Sequence, residues 1–221
     1  MNGSDVSAAR KARGLNQEDL AAKLGVSQGY VSLLERNHRA VPRRLAAKLA
    51  SVLDMTPTVL PVRDVKTLNS NQAAKALGAL GYEPFGYLAH GRRLNPAEVL
   101  VAVLRTDDVD VRVVEALPWL LVRYWDLNWE WVVRSVKQDD GQNRLGFMLC
   151  LAKGLAESLS DFKAAASLGE WEQRLQKSRL QEDDTFSRHT LTKVEVNWLR
   201  VHRSPEAARW NLLSTLNVES L

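Results

Sequence analysis

The stretch from Asn16 to Asn37, NQEDLAAKLGVSQGYVSLLERN, limits the folds open to this chain more than any other segment. It reads as two short helices joined by a tight turn. Gly25 follows Ala21-Ala22-Lys23-Leu24, where a left-handed residue ends a helix without the steric cost a Cβ would bring. Val26 can turn inward, and Ser27 stands where an N-cap must satisfy the free amides of the next helix. Leu20, Ala21 and Leu24 share the inner face of the first helix, and Val31 and Leu34, three apart, that of the second. Ala21 is small where two steeply crossing helices must come close. By these mechanics the stretch is a helix-turn-helix.

The same residues resemble the phage-repressor (Cro-like, or XRE) family of DNA-binding domains. The resemblance runs from Val6 to Met55. It rests on the joint spacing of Asn16-Gln17, Leu20-Ala21, Lys23, Gly25-Val26-Ser27-Gln28, Val31 and Leu34-Glu35. It implies that Gln17, opening the first helix of the motif, binds a phosphate through its amide and the helix N-terminus. It also implies a structural ion pair between Arg10 and Glu35 that fixes the second helix against the bundle.

Charge follows the motif. The chain carries a net charge of +4. Residues 1–55 hold nine Lys/Arg against five Asp/Glu, and the rest of the chain is balanced. The whole excess therefore lies where a phosphate-binding surface requires it. No apolar run approaches the roughly 20 residues of a membrane span. Met1-Asn2-Gly3-Ser4 leads straight into a polar helix, so no signal peptide is expected. The single cysteine, Cys150, lies in an apolar run and is expected to behave as a buried small hydrophobe. A cytoplasmic, nucleoid-associated protein fits this pattern.

The expected fold class is all-α, with a four- to five-helix DNA-binding domain at 1–55, a structured linker at 56–95 and a larger helical bundle at 96–221. The first helix is expected over Val6–Arg13, capped by Ser4 or Asp5 and closed by Gly14, with Leu15 plugging the core. A fourth helix, Arg43–Leu53, has Pro42 in its first turn and places Leu45, Leu49 and Val52 on one face. Pro57, Pro61 and Pro84, with Pro96 at its end, and four glycines punctuate the linker, which still accommodates a helix at Asn71–Leu80 and an aromatic loop, GYEPFGYLAHG. Beyond it, helices are expected at 96–105, at 109–125 with Pro118 kinking or restarting the chain, at 129–137 capped by Asn128, and centrally across NRLGFMLCLAKGLAESL. Three more follow: one capped by Ser160-Asp161 and reaching Leu180, then 188–202 and 205–217, with a polar turn QEDDTFS between. The pairing of 109–124 with 128–138 is similar to helical repeats of the HEAT kind. All seven tryptophans lie in this region, and most are expected in the core.

A recognition helix presents its N-terminal residues to the bases; here these are Ser27, Gln28, Gly29, Ser32 and Leu33. The Gln28 amide can donate and accept at once, which suits N6 and N7 of adenine. Gly29 permits close approach, and Leu33 or the Tyr30 ring suits a thymine methyl. Arg36, His38, Arg39, Arg43 and Arg44 are candidates for the DNA backbone. No catalytic, metal or cofactor site is expected: His38, His90, His189 and His202 are scattered, and HExxH, CxxC, Walker and GxSxG patterns do not occur. Asp107, Asp108, Asp110, Asp139 and Asp140 read as helix caps.

The expected function is a transcriptional repressor that binds a palindromic operator as a homodimer, joined through the C-terminal bundle. EALPWLL, WEWVV and QNRLGF resemble regulators of abortive-infection and toxin–antitoxin operons, which implies an autorepressing antitoxin with a toxin as partner. The alternative is a ligand-sensing repressor with an effector pocket among the C-terminal aromatics.

Overall fold

The computed structural model describes residues 1–62, 67–89, 93–186 and 188–221. Residues 90 and 91 of the expected aromatic loop, and Ser187 of the expected polar turn, lie outside these. The described residues form twelve α-helices and three short 3-10 turns, with one isolated backbone bridge between Asp184 and Leu212. The fold class is all-α. The chain divides into two compact units, residues 1–63 with 93–95, and residues 64–92 with 96–221. The segment expected as a linker is divided between them, its two ends in the first and residues 64–92 in the second.

In the N-terminal unit α1 spans Gly3–Ala12, α2 Gln17–Leu24, α3 Gln28–Glu35 and α4 Arg43–Val52. The first helix begins three residues before its expected start. Asn2, not Ser4 or Asp5, is its cap: the Asn2 side chain accepts from the Asp5 amide and Asp5 returns a bond to Asn2. Asn16 and Asp19 repeat this capping box at α2. Gly25 closes α2 at φ 74°, ψ 40°, and the Ser27 hydroxyl caps α3 by accepting from the Tyr30 amide at 3.2 Å. Val6, Leu20, Ala21, Leu24, Val31, Leu49 and Leu53 form the buried core, with Leu15 and Val26 packed on its edge. The inner face of α4 is turned from the expected one. Ala46, Leu49, Ala50 and Leu53 are buried, while Leu45 and Val52 are half-buried and pack against the edge of the same core.

In the C-terminal unit α5 spans Ser70–Ala79, α6 Pro96–Leu104, α7 Val111–Arg123, α8 Trp129–Lys137, α9 Gln142–Ser158, α10 Phe162–Gln176, α11 Lys193–His202 and α12 Pro205–Arg209. α9 is central, packed by α7, α10 and α12, while every residue of α6 is buried. α7 lies along α9 rather than on α8, which packs on α6 and α9 instead. Pro118 sits inside α7 without restarting it. Gly146 of α9 lies beneath the fully buried Trp210, whose indole occupies the space a Cβ would need.

Three helix ends depart from expectation, each for a tertiary reason. α10 stops at Gln176, short of Leu180. The buried Asn143 side chain holds both the Leu180 amide (2.9 Å) and its carbonyl (3.0 Å), diverting that backbone from helical bonding. α11 begins at Lys193, not residue 188, where Thr192 and Glu195 make a capping box; upstream, the His189 amide donates to Asp108. α12 ends at Arg209 because Asn211 turns left-handed (φ 53°) and the following chain bonds to Asp184 at 2.8 and 2.9 Å.

The tryptophans are less buried than expected. Trp129 and Trp210 are core residues, Trp119, Trp125, Trp131 and Trp171 are half-buried, and Trp198 is exposed. The acidic clusters divide as well. Asp110 caps α7, whereas Asp108 and Asp140 occupy left-handed turn positions and Asp139 pairs with Arg105.

Candidate nucleic-acid interface

The site begins at a buried ion pair. Arg10 of α1 donates to Glu35, the last residue of α3, through Nε at 2.6 Å and a terminal nitrogen at 3.0 Å. Its other terminal nitrogen donates to the Leu15 carbonyl at 2.6 Å. The two side chains are only 10% and 6% exposed. Burial alone would push the Glu35 carboxyl up. Hydrogen bonds from Arg10 and Gln17 outweigh that and leave it below its ordinary value. The bond to Glu35 in turn raises the Arg10 guanidinium. The pair clamps the C-terminal end of the second motif helix to α1. Asn37, left-handed at φ 57°, adds a second tie by accepting from the Gly3 amide at 2.6 Å.

From Glu35 a chain of amides runs to the surface. Gln17 Nε2 donates to the Glu35 carboxylate at 2.8 Å, and Gln17 Oε1 accepts from Gln28 Nε2 at 2.6 Å. A carboxylate can only accept, so it fixes which end of the Gln17 amide points inward. That orientation then fixes the Gln28 amide, leaving the Gln28 oxygen and one Nε2 hydrogen for a ligand. Gln28 is exposed at the first position of α3. A donor and an acceptor side by side are the pattern that matches an adenine edge in the major groove.

Around this centre the expected residues fall into distinct settings. Ser27 is engaged as the α3 cap, and Gly29 is exposed with open space where a side chain would stand. Ser32 is half-buried, while Leu33 is 42% exposed, the one large apolar side chain so displayed in this unit among the described residues. The half-buried Tyr30 ring lies under the Arg39 guanidinium, 5.0 Å from its centroid. Ser27, Tyr30, Arg39 and Arg44 share a cleft of about 240 Å³ floored by Val26, Pro42 and Leu45. Arg36, His38 and Arg43 are exposed. Among the described residues, Arg36, Arg39, Arg43 and Arg44 have no carboxylate within ion-pair distance, whereas Arg10 and Arg13 are matched by Glu35 and Asp54. These four arginines lie together from the end of α3 through the loop after it to the start of α4, while the lysines of the unit, Lys11, Lys23 and Lys48, are spread over α1, α2 and α4.

The Glu35–Gln17–Gln28 chain is not legible as a unit in the sequence. Its members stand eighteen and eleven residues apart, and nothing in a local pattern signals that their amides meet. No curated protein and no solved structure matches the chain. The family model described as helix-turn-helix matches residues 6–60, so the N-terminal segment is an XRE-type helix-turn-helix domain, which supports a DNA-binding regulator of transcription.

Proposed function

We propose that the protein is a sequence-specific repressor that reads duplex DNA with Gln28, Gly29, Ser32 and Leu33. The Gln17 side chain, expected to reach a phosphate through its amide, instead turns its donor inward to Glu35. Only the α2 N-terminus at Gln17 therefore joins Ser27, Tyr30, Arg36, His38, Arg39, Arg43 and Arg44 in holding the phosphate backbone on either side of the reading residues. The observation that carries this reading is the amide chain from the buried Glu35 to the exposed Gln28. It presets one side chain for base readout beside a cluster of arginines with no acid partner among the described residues. A small helix-turn-helix makes too few contacts for tight binding alone. Two copies on a palindrome, with recognition helices about 34–36 Å apart, supply the rest. Such a protein acts in the cytoplasm at the nucleoid. The resemblance of the C-terminal segment supports its acting as an autorepressor whose larger unit binds a partner such as a toxin.

The effector-pocket alternative has a cleft of about 250 Å³ lined by Val111, Glu115, Phe186, Arg188, Leu199 and Leu213, among others.

Selection of bound duplexes from a random pool with the full-length protein tests the proposal. The expected product is an inverted repeat with half-sites about one helical turn apart. A pool that remains random after selection would refute it.

A further inference from the structure

The helix α11, Lys193–His202, has no buried residue. Ten residues are too few for a helix to be more than marginal in water on propensity alone, and most helical stability in proteins comes from covering an apolar face. α11 has such a face, and it points outward. Val194, Trp198 and Val201 follow one another at spacings of four and three and are 77%, 52% and 79% exposed. This is the seam of a two-helix contact. Its capping box satisfies end amides but covers no apolar surface, so the element is built to be covered.

We infer that the outward face of α11 is covered by α11 of a second copy, packed antiparallel across a two-fold axis. This rests on the dimeric reading above and gives it an interface. The charges beside the seam select this occupant. Glu195 and His202 lie on the same flank of the stripe, one at each end, seven residues apart. An antiparallel pairing that sets Trp198 over Val201 of the second copy brings Glu195 against His202 of that copy, and by symmetry His202 against Glu195. A parallel pairing would place these two flanks on opposite sides of the seam, where Glu195 and His202 do not meet. Both side chains are already placed for this. His202 stacks on Trp198 at 4.3 Å between centroids and 14° between planes, and its Nδ1 donates to the Trp198 carbonyl at 2.8 Å, so Nε2 faces outward, where the imidazolium form donates to a carboxylate. Glu195 uses one carboxylate oxygen in its cap on Thr192 and keeps the other for a partner. Arg200 and Arg203 are held away by Asp183, at 2.9 and 3.0 Å, and do not oppose the approach. In the N-terminal unit the one comparably exposed apolar side chain is Leu33, which the proposed function assigns to DNA.

Sedimentation equilibrium of the full chain at ten micromolar tests this, with a Val194→Glu/Val201→Glu variant beside it. Both valines are exposed in one copy, so circular dichroism should show the variant folded. The expected result is a dimer for the native chain and a monomer for the variant. His202→Glu should weaken the dimer roughly three- to tenfold, since two exposed pairs each turn repulsive, and adding Glu195→Lys should restore it. A native monomer, or a dimer that both variants leave intact, overturns the inference. Operator binding separates it from the functional reading. A dimeric double-valine variant that still binds an inverted repeat places the interface elsewhere and leaves repression standing. A native dimer lost in the variant but with no sequence preference keeps the interface and removes the DNA-reading role.

Discussion

Replacing Glu35 with Gln should destabilise the N-terminal unit by about 3 kcal/mol. The substitution keeps the shape and removes the charge. Arg10, 10% exposed, then keeps the Leu15 carbonyl and one neutral amide oxygen as acceptors, with no charge to match its own. Breaking a buried pair from one side typically costs about 3–5 kcal/mol, and the slight exposure of both groups favours the lower end. For a unit near sixty residues that lowers the midpoint by on the order of 10–20 °C. The tryptophans make the assay selective, because all seven lie beyond residue 118. Their fluorescence reports only the C-terminal unit, while far-ultraviolet circular dichroism reports both. The variant should show an earlier dichroism transition and an unmoved fluorescence transition. Arg10→Met combined with Glu35→Leu should recover most of the loss, since paired apolar replacement removes the stranded charge. DNA affinity should not recover with it, because Gln17 still lacks its acceptor. A loss below about 1 kcal/mol for Glu35→Gln, or full DNA binding by the double variant, would refute the reasoning.

Because the Glu35 carboxyl titrates below its ordinary value, its contribution is complete above the unfolded value near about 4.3. It is lost as pH falls from there through the folded value; Glu35→Gln should flatten that part of an acid titration. Gln28→Ala should cost about 1–3 kcal/mol at one base position and relax preference there, measured by competition against single-base operator variants. Arg39→Ala or Arg43→Ala should lower the slope of log affinity against log salt by about one and leave the consensus unchanged. Gly146→Ala should destabilise the C-terminal unit by about 1–3 kcal/mol as the new methyl meets the Trp210 indole, read by tryptophan fluorescence. The Cys150 thiol, pushed up to about 11 chiefly by burial, should react with a disulfide reagent at pH 8 far more slowly than after denaturation.

The local grammar of the N-terminal unit was open to inspection in the sequence. Gly25 and Ser27 mark their turn because a left-handed C-terminus and an N-cap are satisfied within a few residues of themselves. The all-α class, the Asn128 cap and the central place of α9 follow from helical periodicity and from an apolar face that must be buried. Other features depend on groups that only folding brings together. Leu180 ends no helix by its own chemistry; Asn143, thirty-seven residues earlier, takes its amide and carbonyl. Gln28 reads as an exposed amide in the sequence, and its orientation exists only because Glu35, through Gln17, sets which end points outward. The apolar spacing of Val194, Trp198 and Val201 is plain in the sequence. Whether that stripe faces a core or solvent is a fact about its neighbours, since periodicity identifies a face to be buried without naming what buries it.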